Sequence, residues 1–194
     1  MTAPASKGEQ TRQRILDCGR RLVLAGGFVG VGLKQILDES RVPKGSFYHY
    51  FESKEAFGCA LLQDYVDHYL SMLDQLISQP QSAAERLMAY LSPAVTTAGA
   101  ADRCLIVKLA AEIADLSEHM RAILSAGVED IIARLTRLFE QGSQDGTLRV
   151  LTSPRSDAQA LYNQWLGAMI LSKLTRDNGP LQATLADSQA RYMI

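Results

Sequence analysis

The residues best suited to chemistry with a partner molecule are crowded into one short stretch, from Lys44 to Lys54. Its centre holds four hydrogen-bonding side chains: Ser46, Tyr48, His49 and Tyr50. Phe47 and Phe51 lie four positions apart and therefore share the opposite face if the stretch is helical. A polar, aromatic and basic face suits phosphates and base edges, although a solvated surface helix above two core phenylalanines fits the same pattern.

The element that must position this face is a pair of short helices. The pattern predicts helices over 33–40 and 44–51, joined by a tight turn, and a longer helix that begins at Ser53. Two helices separated by three or four residues match a helix-turn-helix, whose second helix lies in the major groove of DNA. Pro43 suits the first turn of the second helix, because an N–H group at that position would have no partner within the helix.

The same residues resemble the TetR family of one-component transcriptional repressors. The resemblance rests on the stretch from Lys44 to Phe51 with Ser53 and Lys54. It extends upstream through four further places: Arg14-Ile15-Leu16, Gly27-Phe28, Ile36 and Val42. It covers about residues 9 to 70. It implies N-terminal helices that bind an operator in double-stranded DNA, and C-terminal helices that form a homodimer and sense a signal.

The residues expected to contact DNA lie on the first three helices and at the start of the fourth. Lys44, Tyr48 and Lys54 are expected to hold phosphate, while Ser46 and His49 are candidates for base edges. Gly45 would let the backbone approach a neighbouring helix or the DNA. The full predicted set is Thr11, Arg12, Lys34, Lys44, Gly45, Ser46, Tyr48, His49, Tyr50 and Lys54.

The charge distribution agrees with a DNA-binding N-terminal part attached to an acidic body. Residues 1 to 55 hold nine Lys or Arg and six Asp or Glu, so +3, whereas the rest holds eleven against fifteen, so −4. The 194 residues suffice for one or two small domains. No apolar run approaches the ~20 residues of a membrane span, and the N-terminus lacks the apolar core of a signal peptide, so we expect a cytoplasmic protein.

Helical spacing and turn residues predict an all-α fold of about nine helices. After a disordered arm at 1–8, helices are expected at 9–25, 33–40, 44–51, 53 to just before Pro80, 82–97, 103–116, 118–141, 156–176 and 181–191. Gly142 and Gly146 are predicted to mark a loop. Residues 1–52 would form the DNA-binding domain, and residues 53–194 the helical sensor and dimerisation domain.

The last two helices are the candidate dimer interface. One side of them carries Leu161, Trp165, Ala168 and Ser172. The family resemblance implies that this pair forms a four-helix bundle with its copy in a second subunit. The alternative is that the same side closes the core of the monomer.

Cys104 is the candidate sensor among three cysteines. The stretch from Cys104 to Ser117, and the positions around Trp165 and Lys173, resemble one branch of the TetR family, which represses N-ethylmaleimide reductase and senses electrophiles and hypochlorite. The resemblance implies that Cys104 is oxidised and forms a reversible sulfur–nitrogen bond with Lys173, which releases DNA. A related branch that binds acrylate looks similar at both positions, so the nature of the signal stays open.

The residues alone leave several readings of this site open. Most cysteines outside disulfides are buried structural residues, and Cys18 follows the apolar spacing of a core position. Lys173 lies on a largely apolar stripe, where it either extends to water or is partly desolvated. Lys108, four residues after Cys104, is an alternative partner for the thiol. Glu112, a further four residues on, can instead engage Lys108 in an ion pair.

Two other functions compete with the thiol switch. The same repressor would be induced by a reversible ligand if the body holds a pocket, for which the candidates are Tyr90, Lys108, Tyr162, Trp165 and Met169. An enzyme would use Cys104 as nucleophile with His68 or His119 as base, but no oxyanion hole or glycine-rich phosphate loop accompanies them. We therefore predict that the protein is not an enzyme, and the sequence predicts no cofactor and no metal site.

Overall fold

Nine α-helices make up most of the computed structural model, which describes residues 6–97 and 99–194. The helices are α1 (Lys7–Gly26), α2 (Leu33–Ser40), α3 (Lys44–Tyr50), α4 (Lys54–Ile77), α5 (Ala83–Thr96), α6 (Leu105–Leu116), α7 (Glu118–Asp145), α8 (Pro154–Thr175) and α9 (Gly179–Tyr192). A short 3-10 turn, Ala101–Arg103, lies between α5 and α6. No β-strand occurs in these two described ranges, and the all-α prediction is confirmed.

Local capping sets the start of α1. The Glu9 N–H donates to Ser6 Oγ at 3.2 Å, and the Ser6 N–H donates to the Glu9 carboxylate at 2.6 Å. This reciprocal pair satisfies N–H groups that a helix leaves unpaired at its start. The prediction that residues 6–8 belong to a disordered arm is therefore wrong, while residues 1–5 of that arm lie outside the described residues. At its other end α1 stops at Gly27, whose φ of 77° suits glycine.

Two further boundaries differ from those predicted. Gly142 is buried inside α7, where an added Cβ would overlap the side chain of Leu148, so this glycine permits close packing and does not mark a loop. The helix instead ends before Gly146, which has a φ of 73°. The helix predicted from residue 103 begins at Leu105, because residues 101–103 form the tighter 3-10 turn.

The chain divides into two compact units, each with its own core. The first consists of the described part of Met1–Val66 together with Lys108–Leu124, and the second of Asp67–Val107 (without residue 98) together with Ser125–Ile194. In the first, Phe57 packs against Phe47 and Phe51 with ring centroids 5.6 and 5.3 Å away.

In the second unit, α8 packs against α9. The rings of Phe139 and Tyr192 lie 4.7 Å apart. The side of α8 suggested for dimerisation is buried within the protomer: Leu161, Trp165, Ala168 and Ser172 are at most 6% exposed. That side therefore closes the monomer core, as the alternative reading held.

None of the described helices is both long enough and apolar enough to cross a lipid bilayer.

Candidate functional site

The polar side chains of α3 face outward, because its apolar face is fixed in the core of the first unit. Phe47 is fully buried and Phe51 is 3% exposed. By contrast, Tyr48 is 45% exposed, His49 is exposed and Ser46 is half-buried. The outer face therefore offers hydroxyl and imidazole groups that can hydrogen-bond to base edges and phosphates.

Three predicted basic residues lie at the surface on or next to this helix. Lys44 is exposed at the start of α3, with Nζ 5.9 Å from the Tyr48 ring centroid. The exposed Arg12 on α1 places its guanidinium 5.5 Å from the ring centroid of Phe51, the residue that follows α3. Lys34 is exposed on α2. Their charges are accessible to a phosphate backbone.

The other predicted contact residues have more local roles. Lys54 Nζ lies 4.9 Å from the Phe28 ring centroid and donates to the Val29 carbonyl at 3.4 Å, so part of its bonding capacity is used within the unit. Thr11 Oγ1 donates to the Lys7 carbonyl at 2.9 Å, and Tyr50 is half-buried. A Cβ on Gly45 would meet nothing within 4 Å, so no neighbouring helix approaches there and the space lies open.

Sequence reasoning missed Arg41 as a candidate for DNA contact. This residue forms the turn between α2 and α3 in a left-handed conformation, with a φ of 54°. With Arg12, Arg14 and Arg21 it lines a groove of about 990 Å³ along α1. A left-handed backbone is uncommon outside glycine, asparagine and aspartate, so the residue type gave no sign of this conformation. The only signal in the sequence was the tight turn between α2 and α3.

Two charged side chains of α6 hold the turn that follows α1. The Glu112 carboxylate accepts hydrogen bonds from the Val29 N–H at 2.6 Å and from the Phe28 N–H at 3.1 Å. Lys108 Nζ donates to the Ala25 carbonyl at 3.4 Å. Glu112 therefore binds backbone, and the suggested Glu112–Lys108 ion pair does not form among these contacts. We call Lys108 and Glu112 the α6 clamp.

Lys173 lies beside the residues that lead into Cys104. Its Nζ is 3.4 Å from Asp102 Oδ1, and its side chain is 33% exposed. Asp102 belongs to the 3-10 turn Ala101–Arg103, which packs against α8. Since Cys104 directly follows this turn and is half-buried outside any disulfide, the fold brings Lys173 to the chain segment of the candidate sensor.

Two tyrosine side chains, Tyr69 and Tyr162, interact electrostatically with the same thiol. Burial raises the pKa of Tyr69 to about 12; its hydrogen bond with Tyr90 lowers this pKa and a nearby Cys104 thiolate would raise it. Burial also raises the pKa of Tyr162, with smaller contributions from Tyr69 and Cys104. The hydroxyl oxygens of Tyr69 and Tyr90 are 2.9 Å apart. Tyr69 and Tyr162 therefore remain protonated at neutral pH and leave the region around Cys104 without a tyrosinate charge.

The proposed ligand-pocket residues do not all share one environment. Tyr90 and Tyr162 accompany Tyr69 in the second unit, and Met169 is half-buried on α8. The Trp165 indole N–H donates to Ser188 Oγ at 3.1 Å inside the core. Lys108 belongs to the first unit, as part of the α6 clamp.

The other two cysteines have different surroundings. Cys18 is 5% exposed, as predicted for a core position, and its sulfur accepts a hydrogen bond from Arg21 at 3.2 Å. Burial, with a contribution from Glu55, raises the pKa of the Cys59 thiol and so lowers its thiolate fraction. Within the described ranges, no group of three or more His, Cys, Asp or Glu side chains is arranged to hold a metal.

Comparison with known proteins gives matches over both parts of the chain. A family model described as "Bacterial regulatory proteins, tetR family" matches residues 15–57. A second, described as "Tetracyclin repressor-like, C-terminal domain", matches residues 82–187. The sequence is 40% identical over 180 residues to the HTH-type transcriptional repressor NemR of Escherichia coli K12, covering 91% of this chain and 90% of the relative.

Further relatives agree in sequence and in structure. The transcriptional regulator AcuR of Cereibacter sphaeroides is 32% identical over 175 residues, covering 88% of this chain and 80% of that protein. A crystal structure of E. coli NemR in its reduced form superposes with a TM-score of 0.89 at 39% identity, over 94% of this chain and 97% of the other. A crystal structure of a TetR/AcrR-family transcriptional regulator gives 0.86 at 49% identity, over 94% and 98%.

Proposed function

Because the chain belongs to the TetR family of transcriptional regulators, we propose that it is a dimeric repressor that leaves its operator when Cys104 is oxidised or alkylated. The family resemblance inferred from the Lys44–Phe51 stretch is confirmed. The relatives are regulators and not enzymes, which also confirms the prediction that the chain has no enzymatic role. Acting on DNA, the repressor would work in the cytoplasm and control detoxification genes.

The observation that carries the thiol switch is the position of Lys173. Its ammonium group contacts Asp102, two residues before Cys104 in the sequence. Lys173 thus lies at the chain segment that contains Cys104, and this position supports a chemical link between the two side chains. The relative NemR has been crystallised in a form named as reduced, which fits a protein whose redox state matters.

Hypochlorous acid can serve as the oxidant that forms the sulfur–nitrogen bond of this switch. The Cys104 thiolate attacks the oxidant, sulfur loses two electrons to chlorine, and sulfenic acid and chloride form. The ammonium group of Lys173 gives a proton to water, and the resulting neutral amine attacks this sulfur, so that an S–N bond forms and water leaves. Two molecules of a cellular thiol then reduce the S–N bond: the first releases the Lys173 amine and forms a mixed disulfide with Cys104, and the second restores the Cys104 thiol and leaves the two cellular thiols joined as a disulfide. An electrophile such as N-ethylmaleimide would instead add directly to the thiolate.

Release from DNA requires that modification of Cys104 disfavour the distance between the two DNA-binding domains of the dimer that fits the operator. A helix-turn-helix dimer reads half-sites about 34 Å apart or a multiple of that. A coupling of about 1–3 kcal/mol between the two sites is typical of allosteric proteins. Residues 1–52 would supply the DNA-binding domain, with Lys44 and Tyr48 on phosphate and Ser46 and His49 on base edges, and residues 53–194 would supply sensing and dimerisation.

A solvent-facing strip on α8 supports the dimer. Ile170, Leu171 and Leu174 are 45%, 52% and 75% exposed, and a Cβ on Gly167 would meet nothing within 4 Å. These positions follow helical spacing and form one apolar face. Contiguous exposed apolar surface of this kind is typical of a protein–protein interface.

The test is a gel shift on DNA upstream of the protein's own gene. Wild type, Cys104→Ser and the matched control Cys59→Ser are compared before and after hypochlorite or N-ethylmaleimide. We expect all three to bind untreated, and only Cys104→Ser to stay bound after treatment. Lys173→Met should resist hypochlorite but still respond to N-ethylmaleimide, because alkylation needs no amine. Equal release of wild type and Cys104→Ser would place the switch elsewhere.

A reversible small-molecule inducer is the second candidate. The cluster of Tyr69, Tyr90 and Tyr162 favours it, since convergent hydroxyl groups can bind a polar ligand. In this version Cys104→Ser would still be released by the inducer, which the same gel shift detects.

A further inference from the structure

Asp102 is the charge partner of Lys173 in the second unit. Its Oδ1 is 3.4 Å from Lys173 Nζ, and its side chain is 67% exposed. The pair lies at a cavity of about 520 Å³, which Ser172 and Arg176 also line where α8 ends. Lys173 is 33% exposed there, so its ammonium group stays within reach of solvent water.

The backbone holds the carboxylate of Asp102 in this position. Asp102 is the middle residue of the 3-10 turn, and its N–H donates to the Gly99 carbonyl at 3.1 Å. The turn packs against α8, and its first residue, Ala101, is buried. Cys104 directly follows the turn. Asp102 therefore contacts one reacting side chain of the proposed switch and lies two positions before the other.

The ion pair of Asp102 and Lys173 can exist only in the reduced protein. It needs the positive charge of the ammonium group, whereas the nitrogen of an S–N bond is uncharged. The ammonium group gives one proton to water, and the amine loses a second proton when it attacks the Cys104 sulfenic acid and water leaves. Formation of the S–N bond therefore breaks the ion pair, and reduction of the bond restores it.

We propose that Asp102 sets the amount of oxidant that the Cys104 switch requires, because its ion pair with Lys173 stabilises the reduced protein against the S–N bond. This inference rests on the thiol switch proposed above. Since Lys173 must give up its charge before it attacks, loss of this partly exposed pair should speed formation of the S–N bond about two- to five-fold. Alkylation of Cys104 uses no amine and leaves the pair in place. Asp102 therefore adjusts the response to oxidants and not the response to alkylating electrophiles.

The test measures how Lys173 competes with dimedone, a reagent that traps sulfenic acid, when the full-length protein is treated with limiting hypochlorite. Peptide mass spectrometry gives the ratio of Cys104 joined to Lys173 to Cys104 joined to dimedone. Both products form from the same sulfenic acid, so this ratio does not depend on how fast the thiol is oxidised.

Three variants separate the charge of Asp102 from its shape. Asp102→Asn removes the charge but keeps an oxygen that accepts a hydrogen bond from Lys173, whereas Asp102→Glu keeps the charge. Asp177→Asn is the matched control, because Asp177 is a second carboxylate that lines the same cavity. Asp102 is exposed, so its substitution leaves the core intact, and circular dichroism checks the fold of each variant.

We expect Asp102→Asn to raise the ratio about two- to five-fold, Asp102→Glu to return it to the wild-type value, and Asp177→Asn to leave it unchanged. In the gel shift, Asp102→Asn should leave DNA at less hypochlorite than wild type, while complete alkylation by N-ethylmaleimide should release both equally. An unchanged or lowered ratio in Asp102→Asn, or an equal rise in Asp177→Asn, would overturn this role of Asp102 and leave the switch intact. Absence of the linked peptide from wild type and every variant would instead overturn the S–N switch, and this inference with it.

Discussion

Replacing Glu112 by glutamine is expected to loosen the turn between α1 and α2. One carboxylate oxygen accepts from the Val29 N–H at 2.6 Å and the other from the Phe28 N–H at 3.1 Å. Glutamine keeps one acceptor oxygen but turns an NH2 group towards the second N–H. One hydrogen bond is therefore lost and two donors are brought face to face.

The magnitude follows from the kind of bond and its exposure. A hydrogen bond to a charged acceptor contributes about 1.5–3 kcal/mol. Val29 is 62% exposed, so water can replace its bond, whereas Phe28 is 5% exposed and its N–H would stay unsatisfied. Together these considerations give a loss of about 1.5–2 kcal/mol for Glu112→Gln, and about 2–4 kcal/mol for Glu112→Ala.

Amide hydrogen exchange, followed by mass spectrometry on a peptide that spans residues 27–32, reports this opening directly. A loss of about 1.4 kcal/mol speeds exchange about ten-fold. Asp115→Asn is the matched control, because Asp115 is an exposed carboxylate on the same helix. The reasoning would be refuted if Glu112→Gln left exchange in this peptide as slow as in wild type, or if Asp115→Asn accelerated it equally.

Three further predictions concern DNA binding, packing and pH. Lys44→Ala should weaken binding to all DNA sequences and reduce the slope of log affinity against log salt by about 1, measured by fluorescence anisotropy; an unchanged slope would remove Lys44 from the phosphate contacts. Gly19→Ala should lower the free energy of unfolding by about 1–3 kcal/mol, since its Cβ would overlap the buried Phe57 ring, whereas Gly32→Ala, in open space, should change it little. Because Tyr69 has a raised folded-state pKa of about 12 against an ordinary 10.0, the unfolded state loses this proton first, and stability should fall between those pH values by up to about 3 kcal/mol. In urea titrations Tyr69→Phe should show a shallower fall, and an identical pH profile would contradict the assignment.

The positions of the helices could be read from the sequence because each depends on neighbours within a few residues. Apolar side chains at helical spacing located the nine helices that lie in residues 6–97 and 99–194, and the pair Phe47 and Phe51 correctly marked the buried face of α3. The errors arose where a residue's role depends on packing against a segment outside its own helix. Gly142 has the composition of a loop residue, but Leu148 packs against it inside the unit.

Ser172 illustrates the same limit within the candidate sites. From spacing alone it shares a helix side with Leu161, Trp165 and Ala168, and nothing distinguishes its hydroxyl from an ordinary core serine. The structure places it at a cavity without a hydrogen-bond partner in the described ranges. Arg176 and Lys173 became members of the same cavity only because α8 ends there.

The sequence by itself determined the helical fold, the helix-turn-helix and the family. The first two follow from the spacing of apolar and turn residues, and the family follows from the motif between Lys44 and Phe51. It also singled out Cys104 and Lys173, through resemblance. Only the tertiary structure decided that Lys173 pairs with Asp102, which lies 71 positions earlier in the chain. The same holds for Glu112, whose carboxylate accepts a hydrogen bond from the backbone N–H of Phe28, 84 positions earlier. Such contacts depend on how whole helices pack, and that packing is set by the summed burial of many side chains and not by any short stretch of sequence.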